Sequence, residues 1–166
     1  MSGEYKSCVI AGRTVAELPF GMDEEHPDCI ALKLCLSNKI AELNADGVKE
    51  FYVNAEYGVG LFAGEVIAVL RDTLGIKLNI VMPHEYQANR YSPEIRDRFF
   101  SLHESADEFK LLSTMEHEGC YHDADMYMVD YSDILLTDDE NSFIARYAVK
   151  EGVEVEMIGR LLLGVL

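Results

Sequence analysis

The sequence predicts an α/β fold, a single-domain three-layer sandwich with a mostly parallel sheet between two layers of helices. Three observations carry this. Short β-branched runs alternate with longer apolar-periodic segments along the whole chain. Glycines and prolines punctuate the boundaries between them. The 166 residues are 49% apolar, enough for one core, so residues 1–166 read as one domain. A chain of that size buries roughly 70% of its unfolded surface.

Taken in order, the run SCVIAG at 7–12 is the first strand. A loop holding Pro19, Gly21 and Pro27 leads to a helix over about 28–45. Its core face is expected from Ile30, Leu34, Ile40 and Leu43, and Gly47 follows its end. EFYVN at 50–54 is the second strand, and an apolar helix starts near Gly58 and ends before Gly75. KLNIVMP at 77–83 is the third strand. Ser92 caps the next helix with Pro93 in its first position. EFKLLS at 108–113, DILLT at 133–137 and VEVEMI at 153–158 complete the strands. DADMYMVDYS and NSFIARYAVKEG are the helices between them. Strands alternating with helices imply right-handed βαβ crossovers.

Ligands in such sheets sit outside the carboxyl ends of the strands, where strand order reverses. The segments at that rim are 12–14, 54–60, 83–90, 113–118 and 137–141. The stretch around Asn54, Glu56, Gly58, Val59 and Gly60 is the sharpest feature there. A helix N-terminus leaves N–H groups unpaired and carries partial positive charge, and glycine lets an anion approach it. The dinucleotide pattern is incomplete, because Ala63 stands where a third glycine belongs. A tight strand-to-helix turn without ligand fits the same residues. Gly12, Arg13 and Thr14 end the first strand, and Arg13 is suited to a phosphate. Glu85 and Arg90 lie after the third strand and Asp138 after the fifth. These eleven residues are the candidate binding set.

Other motifs carry less. HEGCYHDAD offers His117, Cys120, His122, Asp123 and Asp125, but no zinc spacing, so no metal is expected. His84 and Glu85 are acid–base types with no nucleophile motif beside them. The apolar ending GRLLLGVL reads as a last strand, a clasp on the fold or a homodimer contact.

The formal net charge is −16 and the isoelectric point about 4.5. A field of that sign repels nucleic acid and anionic membranes, so neither is expected as a partner. Four cysteines without regular spacing and no leader pattern point to a reduced, cytoplasmic protein. No apolar run reaches the ~18 residues of a membrane span.

The phrases AGRTVAELPFGMDEEHPDC, GVGLFAGEVIAVL and CYHDADMYMVDYSDILL resemble the YpsA-like group of the SLOG (SMF/DprA–LOG) superfamily. The resemblance runs from about Val9 to Ile158. It implies a Rossmann-like fold and a nucleotide or nucleotide-derived small molecule as ligand, bound without catalysis. The departures fall on the rim. The family's T-G-H-R-P is here Ala11-Gly12-Arg13-Thr14-Val15. Its G-M-A-x-G-V-D ends here in Gly60, and Glu56 has entered. Its R-N-R run is Ala124-Asp125-Met126, and its Gly-Gly-Thr turn is replaced by TDDENS at 137–142. Some superfamily members cleave N-glycosidic bonds of nucleoside monophosphates with a P-G-G-x-G-T-x-x-E element that this chain lacks. That activity, and a scaffold role in protein association, are the alternatives. Two negative charges ~6 Å apart repel by about 3 kcal/mol at an effective dielectric of ~20. The directions of Glu56, Asp125, Asp138 and Asp139 therefore decide whether a phosphate is tolerated.

Overall fold

Six strands and five α-helices alternate through residues 5–159, the part of the chain that the computed structural model describes. The strands are β1 (Ser7–Ala11), β2 (Glu50–Val53), β3 (Lys77–Met82), β4 (Glu108–Leu111), β5 (Ile134–Thr137) and β6 (Glu154–Met157). The helices are α1 (Pro27–Ala45), α2 (Val59–Leu74), α3 (Pro93–Ser105), α4 (Cys120–Asp130) and α5 (Phe143–Lys150). A short 3₁₀ turn, Gln87–Arg90, precedes α3. The strands form one sheet in the order β4-β3-β2-β1-β5-β6, and every pairing is parallel.

The two-residue period of a strand divides the core. Cys8 and Ile10 of β1 join the cluster built with α1, α2 and α3, while Val9 and Ala11 join the cluster of α4 and α5. Likewise Ile134 and Leu136 face the first layer and Leu135 the second. Strands buried on both faces need continuous apolar runs, which is why VIA and ILL carry no polar residue. The result is a Rossmann-like three-layer sandwich.

Ser92 caps α3 through its side-chain oxygen, which accepts from the Ile95 N–H, with Pro93 at the first position. In α1 the expected face is corrected. Ile30 and Leu34 are exposed, 49% and 58%, and the core stripe is Cys29, Leu32, Leu36, Ile40 and Leu43. Apolar residues surround this helix, so periodicity alone leaves its rotation open by about one residue. The GRLLLGVL ending lies, but for Gly159, outside the described residues. No helix among the described residues is long and apolar enough to cross a membrane.

The chain leaves β1 toward β2, β3 and β4, then returns through α4 to lay β5 on the other side of β1. Strand order reverses between β1 and β5. The crevice at their carboxyl ends is where a ligand site is expected.

Candidate functional site at the strand-order reversal

A cavity of about 370 Å³ opens at this reversal. That volume suits a nucleoside-sized molecule. Its walls come from the loop after β1 (Gly12, Arg13, Thr14, Glu17), the loop after β2 (Asn54, Glu56) and Arg90. Tyr121, His122 and Asp125 of α4 form another wall, and Asp139, Ser142, Phe143 and Ile144 close it from the β5–α5 connection.

Six of the eleven expected binding residues therefore line the cavity. Gly58, Val59 and Gly60 are buried beneath it, and the reason is local. The loop after β1 lies directly on the N-terminus of α2. Thr14 pairs with Gly58 in an antiparallel bridge, the Val59 N–H donates to the Arg13 carbonyl at 3.1 Å, and the Val15 N–H donates to the Tyr57 carbonyl at 3.0 Å. A Cβ on Gly58 would sit 2.5 Å from the Arg13 carbonyl oxygen, and Gly58 has φ +145°. A Cβ on Gly60 would meet the Asn54 side-chain oxygen at 2.5 Å. The glycines serve close backbone packing, and the protein's own carbonyl occupies the place where an anion was expected. Glu85 is exposed and does not line the cavity; its N–H donates to the Ser113 carbonyl.

Asp138 points inward. Its side chain is 4% exposed, and its carboxylate accepts the backbone N–H and the Nε–H of Arg13 at 3.0 and 2.9 Å. Arg13 is fixed through Nε, and among the described residues neither of its Nη groups has a hydrogen-bond partner. A guanidinium so held keeps donors available for an anion.

Glu56 is saturated. One oxygen accepts from Arg90 Nη2 at 2.5 Å, and the other from Gln87 Nε2 at 2.8 Å and Tyr91 Oη at 2.5 Å. Burial and the Glu56 charge push the Tyr91 phenol up, so it stays a donor. The turn that carries Glu56 is strained: Ala55 has φ +59°, a left-handed conformation for a residue with a Cβ. It is held by the Glu56 N–H donating to the Asn54 side chain and by Gln87 Nε2 donating to the Asn54 carbonyl.

The wall from α4 was not in the expected set. Arg90 Nη2 donates to Tyr121 Oη at 2.8 Å, and His84 Nε2 lies 3.4 Å from the same oxygen. His84 is buried, and its Nδ1 accepts from the Tyr86 N–H. His122 stacks on Phe143 with ring centroids 3.8 Å apart and planes 9° from parallel. Asp125 is partly buried and makes no hydrogen bond or ion pair among the described residues. Burial, reinforced by the Glu56 charge, pushes its carboxyl up to about 7. One sequence signal pointed this way. Tyr121 and Asp125 stand four apart and share a helix face, on a helix whose Ala124 and Met128 are buried.

Among the described residues no three His, Cys, Asp or Glu side chains gather to hold a metal ion.

The model of the family described as the YspA SLOG family matches residues 8–157. The chain belongs to this family. A UPF0398 protein of Oceanobacillus iheyensis is 26% identical over 113 residues, covering 66% of this chain and 61% of that protein. One from Macrococcus caseolyticus is 26% identical over 144 residues, 82% of this chain and 76% of that protein. Staphylococcus aureus relatives are 22% identical over 140 residues. The chain thus spans about three fifths to three quarters of the relatives it matches. Among solved structures, DNA processing protein A from Helicobacter pylori superposes with a TM-score of 0.60 at 16% identity, over 92% of this chain and 64% of that one. That structure is described as having a unique single-stranded DNA binding mode.

This comparison corrects the partner expectations, a small-molecule ligand implied by the family resemblance and nucleic acid excluded by the net charge. A protein of the same fold binds single-stranded DNA, so the fold gives no ground for the exclusion. The physical reason is that −16 is a sum over the whole chain, whereas binding responds to the potential at one site.

Proposed function

We propose that the cleft binds a nucleotide unit, with its anionic group against Arg13 and its base beside the His122–Phe143 ring pair. The observation that carries the reading is Arg13, held by the buried Asp138 with both Nη groups unpartnered among the described residues, on the wall of a nucleoside-sized cavity at the strand-order reversal. The acidic rim does not forbid it. Asp138 is neutralised by Arg13 and Glu56 by Arg90, so two of the four carboxylates that would repel a phosphate are already paired. Family membership and the fold shared with a single-stranded-DNA-binding protein support nucleotide chemistry. The segment 137–142 lacks the glycosidic-bond-cleaving element, so the reading is of binding without catalysis.

Titration calorimetry with a panel of mononucleotides and with short single-stranded oligonucleotides tests it. Binding that falls about tenfold or more in Arg13→Ala is the expected result, since a hydrogen-bonded charge is worth about 1.5–3 kcal/mol. Equal affinity in wild type and Arg13→Ala, or no binding by any of these ligands, would sink it.

A further inference from the structure

We propose that Asp125 is the specificity-determining residue of this cleft, its carboxylate receiving a pair of adjacent hydrogen-bond donors from the uncharged part of the ligand. The inference rests on the nucleotide-unit reading and deepens it. The other acidic groups around the cavity are engaged. Glu56 accepts three donors, Asp138 holds Arg13, Glu17 accepts the Thr14 N–H and hydroxyl, and Asp139 accepts the Asn141 N–H. Asp125 alone among these carboxylates has no hydrogen-bond or ion-pair partner among the described residues, and it sits on the cavity wall between the buried Ala124 and Met128. Its place on the cavity wall puts the carboxylate within reach of donors that a ligand supplies, and a hydrogen bond to a charged group is among the stronger ones.

A carboxylate accepts two parallel donors at once. A nucleotide offers such a pair in two places: the vicinal hydroxyls of ribose, and the N1–H and 2-amino group of guanine. Phosphate offers none.

The charged and titratable groups around Asp125 come from every wall. Glu56 and Arg90 face it from the β2 and 3₁₀ side, Tyr121 and His122 from its own helix, Asp139 from the β5–α5 connection, and Arg13 with Glu17 from the loop after β1. Burial and Glu56 place its ionisation in the neutral range. The sign follows. A ligand donating to Asp125 prefers the carboxylate, so its affinity rises with pH through about 7. A bare anion prefers the neutral acid, so its affinity falls over the same range.

The experiment is calorimetry on the full chain with guanosine monophosphate, its 2′-deoxy form, inosine monophosphate and sulfate, at pH 6 and pH 8, for wild type, Asp125→Asn and Asp125→Ala. Loss of about tenfold with the deoxy form assigns the ribose diol, and the same loss with inosine assigns the guanine edge. Either supports the proposal when both variants erase the discrimination. Sulfate should bind wild type more weakly at pH 8 than at pH 6 and lose that difference in Asp125→Asn. Nucleotide binding whose discrimination and pH dependence persist in both variants overturns this proposal and leaves the nucleotide-unit reading standing. No binding by these three nucleotides overturns this proposal, and the nucleotide-unit reading falls with it only when the wider mononucleotide panel and the oligonucleotides also fail to bind.

Discussion

Asp138 accepts two donors from one residue, the backbone N–H and the Nε–H of Arg13, while only 4% of its own side chain is exposed. The end of β5 thereby fixes both the course of the β1 loop and the aim of its arginine. The fit is close: a Cβ on Gly12 would lie 2.3 Å from Asp138 Oδ1, the oxygen that accepts the Arg13 backbone N–H.

Asp138→Ala is expected to cost about 2 kcal/mol in urea denaturation, because it strands a partly buried N–H and guanidinium. Its nucleotide affinity should match that of Arg13→Ala. Gly12→Ala, which displaces the carboxylate without removing it, should reproduce the binding loss. Wild-type affinity in Asp138→Ala would show that Arg13 needs no such anchor.

Gly58 and Gly75 separate packing from conformation. Both have positive φ, +145° and +67°, but a Cβ on Gly75 meets nothing within 4 Å, whereas on Gly58 it meets Arg13 and Thr14 backbone atoms at 2.5 and 2.6 Å. Gly75→Ala should cost about 1 kcal/mol, the ordinary left-handed penalty at a helix end. Gly58→Ala should cost clearly more, about 3 kcal/mol or a failure to fold, because the clash is backbone on backbone. Similar unfolding midpoints for the two variants would refute the packing role.

These glycines also show what the sequence made legible. A G-x-G at a strand-to-helix turn correctly marks a close backbone approach, but its spelling does not say what approaches. Here it is the Arg13–Thr14 backbone, brought in by a contact 44 residues distant in sequence from Gly58. The β-branched runs were readable because strands buried on both faces tolerate little but apolar residues, and Ser92-Pro93 because capping is local chemistry. The rotation of α1 was not readable, because Ile30 and Leu34 are as apolar as the residues that pack. Asp125 was already among the rim acids the sequence singled out, but its burial and raised carboxyl were hidden for a different reason. Its environment is made by Glu56, from another element, and by burial that no local pattern encodes.

Glu56 provides a direct probe of that environment. Glu56→Gln removes the charge near Asp125 while nearly preserving shape. Burial is the larger cause of the upward shift, so the Asp125 carboxyl should move down from about 7 yet stay above its ordinary 3.8. Carboxyl-carbon NMR titration reads this directly. An unmoved Asp125 would mean that the two carboxylates do not sense each other.

Two carboxylates with opposite shifts set the pH dependence of stability. Burial alone would raise Glu24, but hydrogen bonds from Arg98, Lys33 and Tyr57 outweigh it and hold the carboxyl at about 2, below the ordinary 4.5. Arg98 also grips Glu65, so this cluster ties the loop after β1 to α2 and α3. A lowered carboxyl stabilises the fold fully above about 4.5, and that contribution is lost as pH falls toward 2. Asp125 works the other way. Its folded value of about 7 lies above the ordinary 3.8, so its ionised form is penalised above 7 and the penalty lifts as pH falls through that window. Relief of the −16 net charge adds to the same side. Stability should therefore peak in the weakly acid range, near pH 5, and decline toward both pH 8 and pH 3. Urea midpoints across pH 3–8 measure it. Asp125→Asn should flatten the alkaline limb and Glu24→Gln the acid limb, each leaving the other in place. A wild-type maximum at pH 8 would contradict the raised Asp125, and an unchanged acid limb in Glu24→Gln would remove the Arg98 cluster from the account of acid unfolding.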